Sequence, residues 1–213
     1  MIQYQVFSFN PFQENTYVIW NSEKECIIID PGCCNLLEEN QLRDFISGNG
    51  LNPSAVWLTH CHIDHVLGLD FCLKTWNLPY FLHENEIAAL KSVEVYAPAY
   101  GFPQFRTPED QGNLLSEGEI VLGKEAFQVL FVPGHSAGHL AFYHAGSGQI
   151  WAGDVIFLES IGRTDLPGGN FNQLEKSIRE NLYRLPEETI VHPGHGPETT
   201  IGHEKRHNPF VKN

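Results

Sequence analysis

The sequence THCHIDH occupies residues 59–65 and places four metal-binding side chains within six residues, in the pattern H-x-H-x-D-H. Neutral imidazole together with carboxylate is a ligand set that a divalent cation such as Zn²⁺ binds. On a regular helix His60 and His62 would point to different faces, and on a strand Asp64 and His65 would. A strand that ends and turns into a helix can aim all four side chains at one place.

The residues on either side of this motif fit such a turn. Residues 55–58 form a short apolar run after Pro53, which is typical of a buried strand. From Asp64 onward the apolar residues have roughly helical spacing, and Asp64 is placed as a possible N-cap. The motif is therefore expected at the C-terminal end of a strand, where α/β folds usually place their sites.

Three later segments repeat one arrangement, an apolar strand followed by a glycine turn and a polar side chain. They are VPGH at residues 132–135, WAGD at 151–154 and VHPGHG at 191–196. Together with the motif they give seven candidate ligands: His60, His62, Asp64, His65, His135, Asp154 and His195. Seven ligands are too many for one tetrahedral ion and suit two ions that share a bridging carboxylate, for which we predict Asp154.

A site of this kind indicates hydrolysis. The pKa of a metal-bound water falls from about 15.7 to about 7, which gives a hydroxide nucleophile at neutral pH. The same ions can polarise a carbonyl group and hold the leaving group. Five of the six histidines outside this set are interpreted as ordinary residues, namely His83, His144, His192, His203 and His207.

Length and composition limit the class of protein. With 213 residues, 42% hydrophobic content and no composition break, the chain is predicted to form one domain over 1–213. A net charge of −13 argues against nucleic acid or an anionic membrane as partner. The odd cysteine count matches no C-x-x-C pattern, and no leader or long apolar run is present, so we expect reduced thiols in a cytoplasmic protein. Cys61 is the one candidate ligand among the cysteines, but the histidines beside it already fill that role.

Apolar patterning predicts strands and helices in both halves of the chain. The expected strands are residues 3–9, 16–20, 26–29, 55–58, 80–82, 120–122, 127–132, 140–144, 149–152 and, as the last, 189–191. The expected helices are residues 35–47, 64–76, 84–95 and 171–183. Residues 97–113, rich in proline, glycine and aromatics, are expected to form a long loop close to the site. Strand clusters with helices suggest two sheets packed face to face with helices outside.

These residues resemble the metallo-β-lactamase superfamily over nearly the whole chain. The resemblance implies an α/β fold, a four-layer αββα sandwich of two mixed β-sheets with helices on the outer faces. It also implies that His60, His62 and His135 hold a first metal, that Asp64, His65 and His195 hold a second, and that Asp154 bridges them. Asp64 and Asp154 would be the catalytic carboxylates, with two Zn²⁺ ions as the cofactor and iron or manganese as alternatives.

Within the superfamily the chain is most similar to hydroxyacylglutathione hydrolases (glyoxalase II) and their short single-domain relatives. The motifs that carry this likeness are NTY at residues 15–17, DPG at 30–32, GHSAGH at 134–139, GRTD at 162–165, PGG at 167–169 and NPF at 208–210. The resemblance implies a small-molecule thioester substrate such as S-lactoylglutathione. The longer enzymes add a C-terminal helical segment that grips glutathione, and because this chain stops at Asn213 the thiol carrier is left open.

Three further residues have two interpretations each. Asp30 and His139 either orient metal ligands, as the resemblance suggests, or are a turn-forming aspartate and a histidine at the start of a strand. Arg163 either binds a substrate carboxylate or forms a structural pair with Asp165.

Two other functions are considered beside thioester hydrolysis. A mononuclear iron persulfide dioxygenase would use His60, His135 and Asp154 as its facial triad. A non-catalytic metal-binding module would keep the fold without turnover. A lactamase is less favoured, and the oligomeric state is left open.

Overall fold

The computed structural model describes residues 2–212. The chain forms two compact units. The first extends as far as Leu115 and includes Leu122–Lys124, and the second comprises Ser116–Val121 and the chain from Glu125 onward. The helices are α1 (Leu36–Gly48), α2 (Ile63–Val66), α3 (Leu69–Trp76), α4 (Ile87–Tyr96), α5 (Phe171–Glu180) and α6 (Ile201–His207). The prediction of a single domain over 1–213 stays a prediction.

Strands of the first unit form one mixed sheet. They are β1 (Gln3–Phe9), β2 (Glu14–Trp20), β3 (Glu25–Ile29), β4 (Asn52–Trp57), β5 (Tyr80–Leu82) and β6 (Asn113–Leu114), paired in that order. Strands β1, β2 and β3 are antiparallel, whereas β3 to β6 run parallel. Parallel neighbours need crossover connections, and α1 to α4 lie in those connections. The carboxyl ends of β3, β4 and β5 therefore meet at one edge of the sheet.

Strands of the second unit form another six-stranded sheet, with a small two-stranded hairpin beside it. The sheet order is β14 (Thr199–Thr200), β13 (Ile190–Pro193), β10 (Gln149–Gly153), β9 (Leu140–His144), β8 (Glu125–Phe131) and β7 (Gly118–Leu122). The hairpin consists of β11 (Ile156–Phe157) and β12 (Ser160–Ile161). Strand β10 is parallel to β13 and antiparallel to β9. Leu174 and Ile178 of α5 belong to the same apolar cluster as Ile150 and Val191 of the sheet.

Most of the predicted elements are confirmed, but the helix after the motif differs. We predicted one helix with Asp64 as N-cap, and this was wrong. The chain forms α2 with His62 at the N-cap position, ends it at Val66, and begins α3 at Leu69. The interruption contains Gly68, where a Cβ would collide with the Sγ atom of Cys33. The chain changes direction at a position that only a glycine can occupy without displacing its neighbour.

Two elements near the C-terminus were missed, so the strand at 189–191 is not the last. Strand β14 and helix α6 follow it. Helix α6 has no apolar periodicity and is fixed by the buried Glu204, whose carboxylate accepts hydrogen bonds from Thr199 and Asn208. The predicted loop 97–113 begins with the 3₁₀ helix Ala97–Tyr100, and its last residue lies in β6. Among residues 2–212 no helix is long and apolar enough to cross a membrane.

Candidate metal centre

The first unit brings the side chains of the motif together at the carboxyl end of β4. The rings of His60 and His62 are nearly perpendicular, with centroids 4.7 Å apart. The centroid of His65 lies 4.1 Å from that of His60. Nε2 of His65 is 3.8 Å from Oδ2 of Asp64. The turn from strand to helix therefore gathers all four predicted ligands, as the spacing indicated.

Hydrogen bonds decide which ring nitrogen two of these histidines present to a metal. Nδ1 of His65 lies 3.0 Å from Oδ2 of Asp30, so Nδ1 carries the proton and Nε2 the lone pair. The hydroxyl of Thr59 donates to Asp30 at 2.6 Å and lies 3.0 Å from Nδ1 of His60. Because that hydroxyl has already donated its proton, it accepts from His60, whose Nε2 then holds the lone pair.

Asp30 is placed where it orients ligands, at the end of β3. Its Oδ1 accepts the backbone N–H of Thr59 at 2.7 Å, and its Oδ2 faces the Thr59 hydroxyl and His65. Its φ of 48° is one that a short polar residue tolerates in a turn. Possible ligand atoms of Asp30, His60 and His65 lie within 4.8 Å of one another. Since three donors already face Asp30, its carboxylate is suited to orienting His65 and not to binding a metal itself.

In the second unit Asp154 lies between two histidines. Its Oδ2 is 3.5 Å from Nε2 of His135 and 3.6 Å from Nε2 of His195. Two ligand atoms bound at about 2.0–2.1 Å to one tetrahedral ion are roughly 3.3–3.4 Å apart, so these separations fit shared coordination. A single carboxylate oxygen thus lies at nearly the same distance from Nε2 of each histidine.

Backbone turns fix the orientation of His135 and Asp154. Nδ1 of His135 donates to the carbonyl oxygen of Arg163 at 2.8 Å, and because a carbonyl can only accept, the lone pair lies on Nε2. A Cβ on Gly162 would collide with the carbonyl oxygen of Asp154, so this close approach requires glycine. Nε2 of His139 accepts the backbone N–H of Asp154 at 3.1 Å. The side chain of His139 therefore contacts the backbone of Asp154, a predicted ligand.

Arg163 forms the structural pair that was one of its two interpretations. Its Nε and an Nη atom lie 2.7 and 2.8 Å from the two carboxylate oxygens of Asp165. This pairing lowers the pKa of Asp165 to about 2. Both side chains are exposed, so the pair contributes little to stability. The geometry favours the structural interpretation over substrate binding.

Two buried carboxyl groups near the motif were missed from the sequence. Oε2 of Glu86 accepts the backbone N–H of Cys61 at 2.8 Å, and Glu86 is 1% exposed. Glu14 is fully buried, and burial raises the pKa of its carboxyl well above the usual value, although the nearby His65 opposes this. Neither residue has a spacing signal, because each is far from the motif in sequence.

Of the histidines set aside as ordinary residues, His192 is the one most deeply placed. Its ring is fully buried and stacks on Trp151, with centroids 4.8 Å apart. Its Nε2 lies 2.8 Å from Oε1 of Gln149, and its Nδ1 lies 3.1 Å from Oε1 of Glu198. The contacts with Gln149 and Trp151 join β13 to the neighbouring strand β10, so His192 has a packing role.

The donor set fits divalent metal ions and corresponds to a known family. Imidazole Nε2 atoms held in one tautomer, together with carboxylates, are the ligands expected for such ions. The family model described as "Metallo-beta-lactamase superfamily" matches residues 9–195. The chain belongs to this superfamily, and the two mixed sheets with their helices confirm the predicted metallo-β-lactamase fold.

Individual relatives include enzymes whose names give different activities. The hydroxyacylglutathione hydrolase GloC of Haemophilus influenzae is 36% identical, with 97% of both chains covered. The solved structure of the BLEG-1 B3 metallo-β-lactamase has a TM-score of 0.90 and 37% identity, covering 99% of this chain and all of that one. The structure of TTHA1623 in a di-iron-bound form has a TM-score of 0.87 and 39% identity, covering 97% and 100%. These similarities support a metal-binding hydrolase.

Proposed function

We propose that this protein is a hydrolase that binds two divalent metal ions. The proposed ligands are His60, His62, Asp64, His65, His135, Asp154 and His195. The observation that carries the proposal is the position of the Asp154 oxygen, 3.5 and 3.6 Å from two imidazole nitrogens. A carboxylate oxygen in that position suits a bridge between two ions. We propose Zn²⁺ as the metal, with iron or manganese as alternatives, and the di-iron form of a relative supports a two-ion site.

The protein's own residues prepare this site in defined ways. When bound, the ions would lower the pKa of a bound water to about 7 and polarise a substrate carbonyl. Asp30 accepts a hydrogen bond from Nδ1 of His65. This bond makes Nε2 of that ring a stronger metal ligand. The Arg163 carbonyl has the same effect, in weaker form, on His135. Asp64 and Asp154 bring negative charge that would offset part of the charge of two dications.

The substrate that we propose is a small thioester, such as S-lactoylglutathione. Water would add to the acyl carbon, the carbon–sulfur bond would break, and a carboxylic acid and a thiol would leave. The likeness to GloC supports this substrate class. We do not propose Arg163 as a substrate contact, because its guanidinium group is paired with Asp165.

A second candidate is the hydrolysis of a β-lactam. The likeness to the BLEG-1 structure favours it, at nearly the same identity as the likeness to GloC. The chemistry differs only in the bond that breaks, which is an amide carbon–nitrogen bond in a strained ring. The same metal ligands would serve either reaction, so substrate assays must separate them.

The test is metal quantitation followed by substrate assays. Protein purified without chelator is expected to hold about two metals per chain and to hydrolyse S-lactoylglutathione faster than a β-lactam. Asp64→Ala should lower the count to about one and reduce kcat/KM at least about 100-fold, since a direct ligand is lost. Asp70→Ala is the matched control, because Asp70 is a nearby carboxylate outside the proposed ligand set, with its Oδ2 2.8 Å from Nζ of Lys74. One iron per chain, oxygen uptake with glutathione persulfide and full activity in Asp64→Ala would instead indicate the dioxygenase.

A further inference from the structure

Two backbone N–H groups in the loop after β4 donate to carboxylates. These carboxylates lie in the segments that follow the two neighbouring strands, β3 and β5. The regular pairing of the strand continues to Leu58, whose N–H donates to the carbonyl of Phe81. Beyond it, the N–H of Thr59 donates to Asp30, which follows β3. The N–H of Cys61 donates to Glu86, which follows β5. Because β3, β4 and β5 are parallel neighbours, both carboxylates reach the loop from the same edge of the sheet.

His60 lies between these two hydrogen bonds. The peptide N–H of the preceding residue is held by one carboxylate, and that of the following residue, Cys61, is held by the other. Cys61 in turn separates His60 from His62, so the bond to Glu86 lies midway between two proposed ligands of the first metal. Any movement of this peptide group changes the direction of both imidazoles.

The carboxylate of Glu86 contacts the loop after β4 and is almost completely shielded from solvent. It is 1% exposed and lies at the end of the 3₁₀ helix Glu84–Glu86, directly before α4. Its own N–H donates to the carbonyl of His83, which fixes the backbone from which the side chain extends. A buried carboxylate that accepts a backbone N–H forms a short, charge-assisted bond, and here the length is 2.8 Å.

We propose that Glu86 is a positioning residue for the metal-binding pair His60 and His62. It holds the Cys61 peptide so that the two rings keep their nearly perpendicular arrangement. Metal sites tolerate displacements of only about 0.5 Å before affinity declines, so a fixed peptide between the two ligands has a measurable effect. This inference rests on the proposed metal centre, and it adds a residue that has no place among the seven ligands.

The experiment compares two replacements of Glu86 that have similar size. Glu86→Gln keeps an oxygen that can accept the Cys61 N–H, whereas Glu86→Met fills the same space without an acceptor. Zn²⁺ affinities of the metal-free proteins are measured by competition with a chromophoric chelator. We expect Glu86→Met to weaken one of the two Zn²⁺ affinities by about 10-fold or more, as loss of an orienting partner does, and Glu86→Gln to stay within about threefold. Glu84→Ala, which removes an exposed carboxylate from the same turn, should change neither affinity.

The outcomes separate this inference from the proposed metal centre. Wild-type protein that binds no Zn²⁺ would contradict the metal centre itself. Wild-type protein that binds two ions, with Glu86→Met and Glu86→Gln equal in affinity, would overturn the role of Glu86 alone. Thermal unfolding of the metal-free variants shows whether the effect is only on stability, in which case affinity in the folded protein would not change. Should Glu86→Met fail to fold, Glu86→Asp replaces it, and its wild-type Zn²⁺ affinity would overturn the inference.

Discussion

The three histidines with a fixed tautomer differ in the group that accepts the Nδ1 proton. The acceptor is a carboxylate for His65, a hydroxyl for His60 and a backbone carbonyl for His135. A carboxylate partner increases ligand basicity most, so His65 is the strongest of the three nitrogen donors. The compact H-x-H-x-D-H motif predicted that its histidines and Asp64 lie together, and the structure places them so. The tautomers of His60 and His135 could not be predicted from the sequence, because they depend on Thr59 and on a carbonyl from a distant turn.

Residue-scale electrostatics predict a pH effect at His192. Burial lowers its pKa to about 4, although Glu198 opposes this. The folded protein therefore favours neutral His192, whereas the unfolded chain takes up a proton below about pH 6.5. The resulting stability is present above about pH 6.5 and is lost as the pH falls from there toward 4. Within that window the loss amounts to about 1.4 kcal/mol per pH unit at most.

This effect can be isolated with His192→Gln, which keeps a polar group beside Gln149 but cannot titrate. Urea unfolding of metal-free wild type and variant at several pH values gives the difference in unfolding free energy. We expect that difference to be constant above pH 6.5 and to shrink by roughly 1–3 kcal/mol on going down to pH 4. A difference that stays constant over the whole range would show that His192 is not held neutral.

At the scale of elements, the predictions succeeded where apolar periodicity reports burial. Helix α1 was expected at residues 35–47 and is found at Leu36–Gly48, with the side chain of Asn35 accepting the N–H groups of Leu37 and Glu38. Helix α6 was missed because hydrogen bonds to the buried Glu204 hold it in place. Apolar periodicity in a sequence does not indicate such hydrogen bonds. The break between α2 and α3 was missed because it depends on a tertiary contact of Gly68.

The break predicts opposite effects for two glycine-to-alanine changes. In Gly68→Ala the new Cβ would meet Cys33, so the free energy of unfolding should fall by about 1–3 kcal/mol, as in other overpacked sites. In Gly48→Ala, at the last residue of α1, the Cβ meets nothing within 4 Å, and stability should rise by up to about 1 kcal/mol. Urea denaturation measures both. Equal effects of the two changes would rule out the contact with Cys33 as the reason for the break.

For the whole molecule, the metal ions should contribute to stability as well as to chemistry. A ligand that binds only the native state adds about 2.7 kcal/mol at a concentration 100 times its Kd. We therefore expect a chelator to lower the Tm of wild-type protein, and to lower that of Asp64→Ala less, because one ion has already been lost. Differential scanning calorimetry with metal analysis before and after chelation measures this. Complete removal of the metal with no change in Tm would contradict the prediction.

The superfamily and its fold were predicted from a resemblance carried by the H-x-H-x-D-H motif and the three later strand–turn segments, and the family model confirms the superfamily. Substrate choice did not follow, since the residues that would contact an acyl group or a thiol have no spacing rule. The pairing of Arg163 with Asp165 is an example, because the sequence allowed both a substrate contact and an ion pair.

Cys61 lies between two proposed metal ligands, yet its side chain belongs to the apolar core and burial raises the pKa of its thiol well above the usual value. The possible ligand atoms that lie within 4.8 Å of one another among the described residues belong to histidines and aspartates and do not include this sulfur. The proposed centre then consists of nitrogen and oxygen atoms only, and such atoms accept zinc, iron and manganese alike. Which ion the protein carries would follow from what the cell supplies, so the metal found in a purified sample reports the growth medium as much as the enzyme.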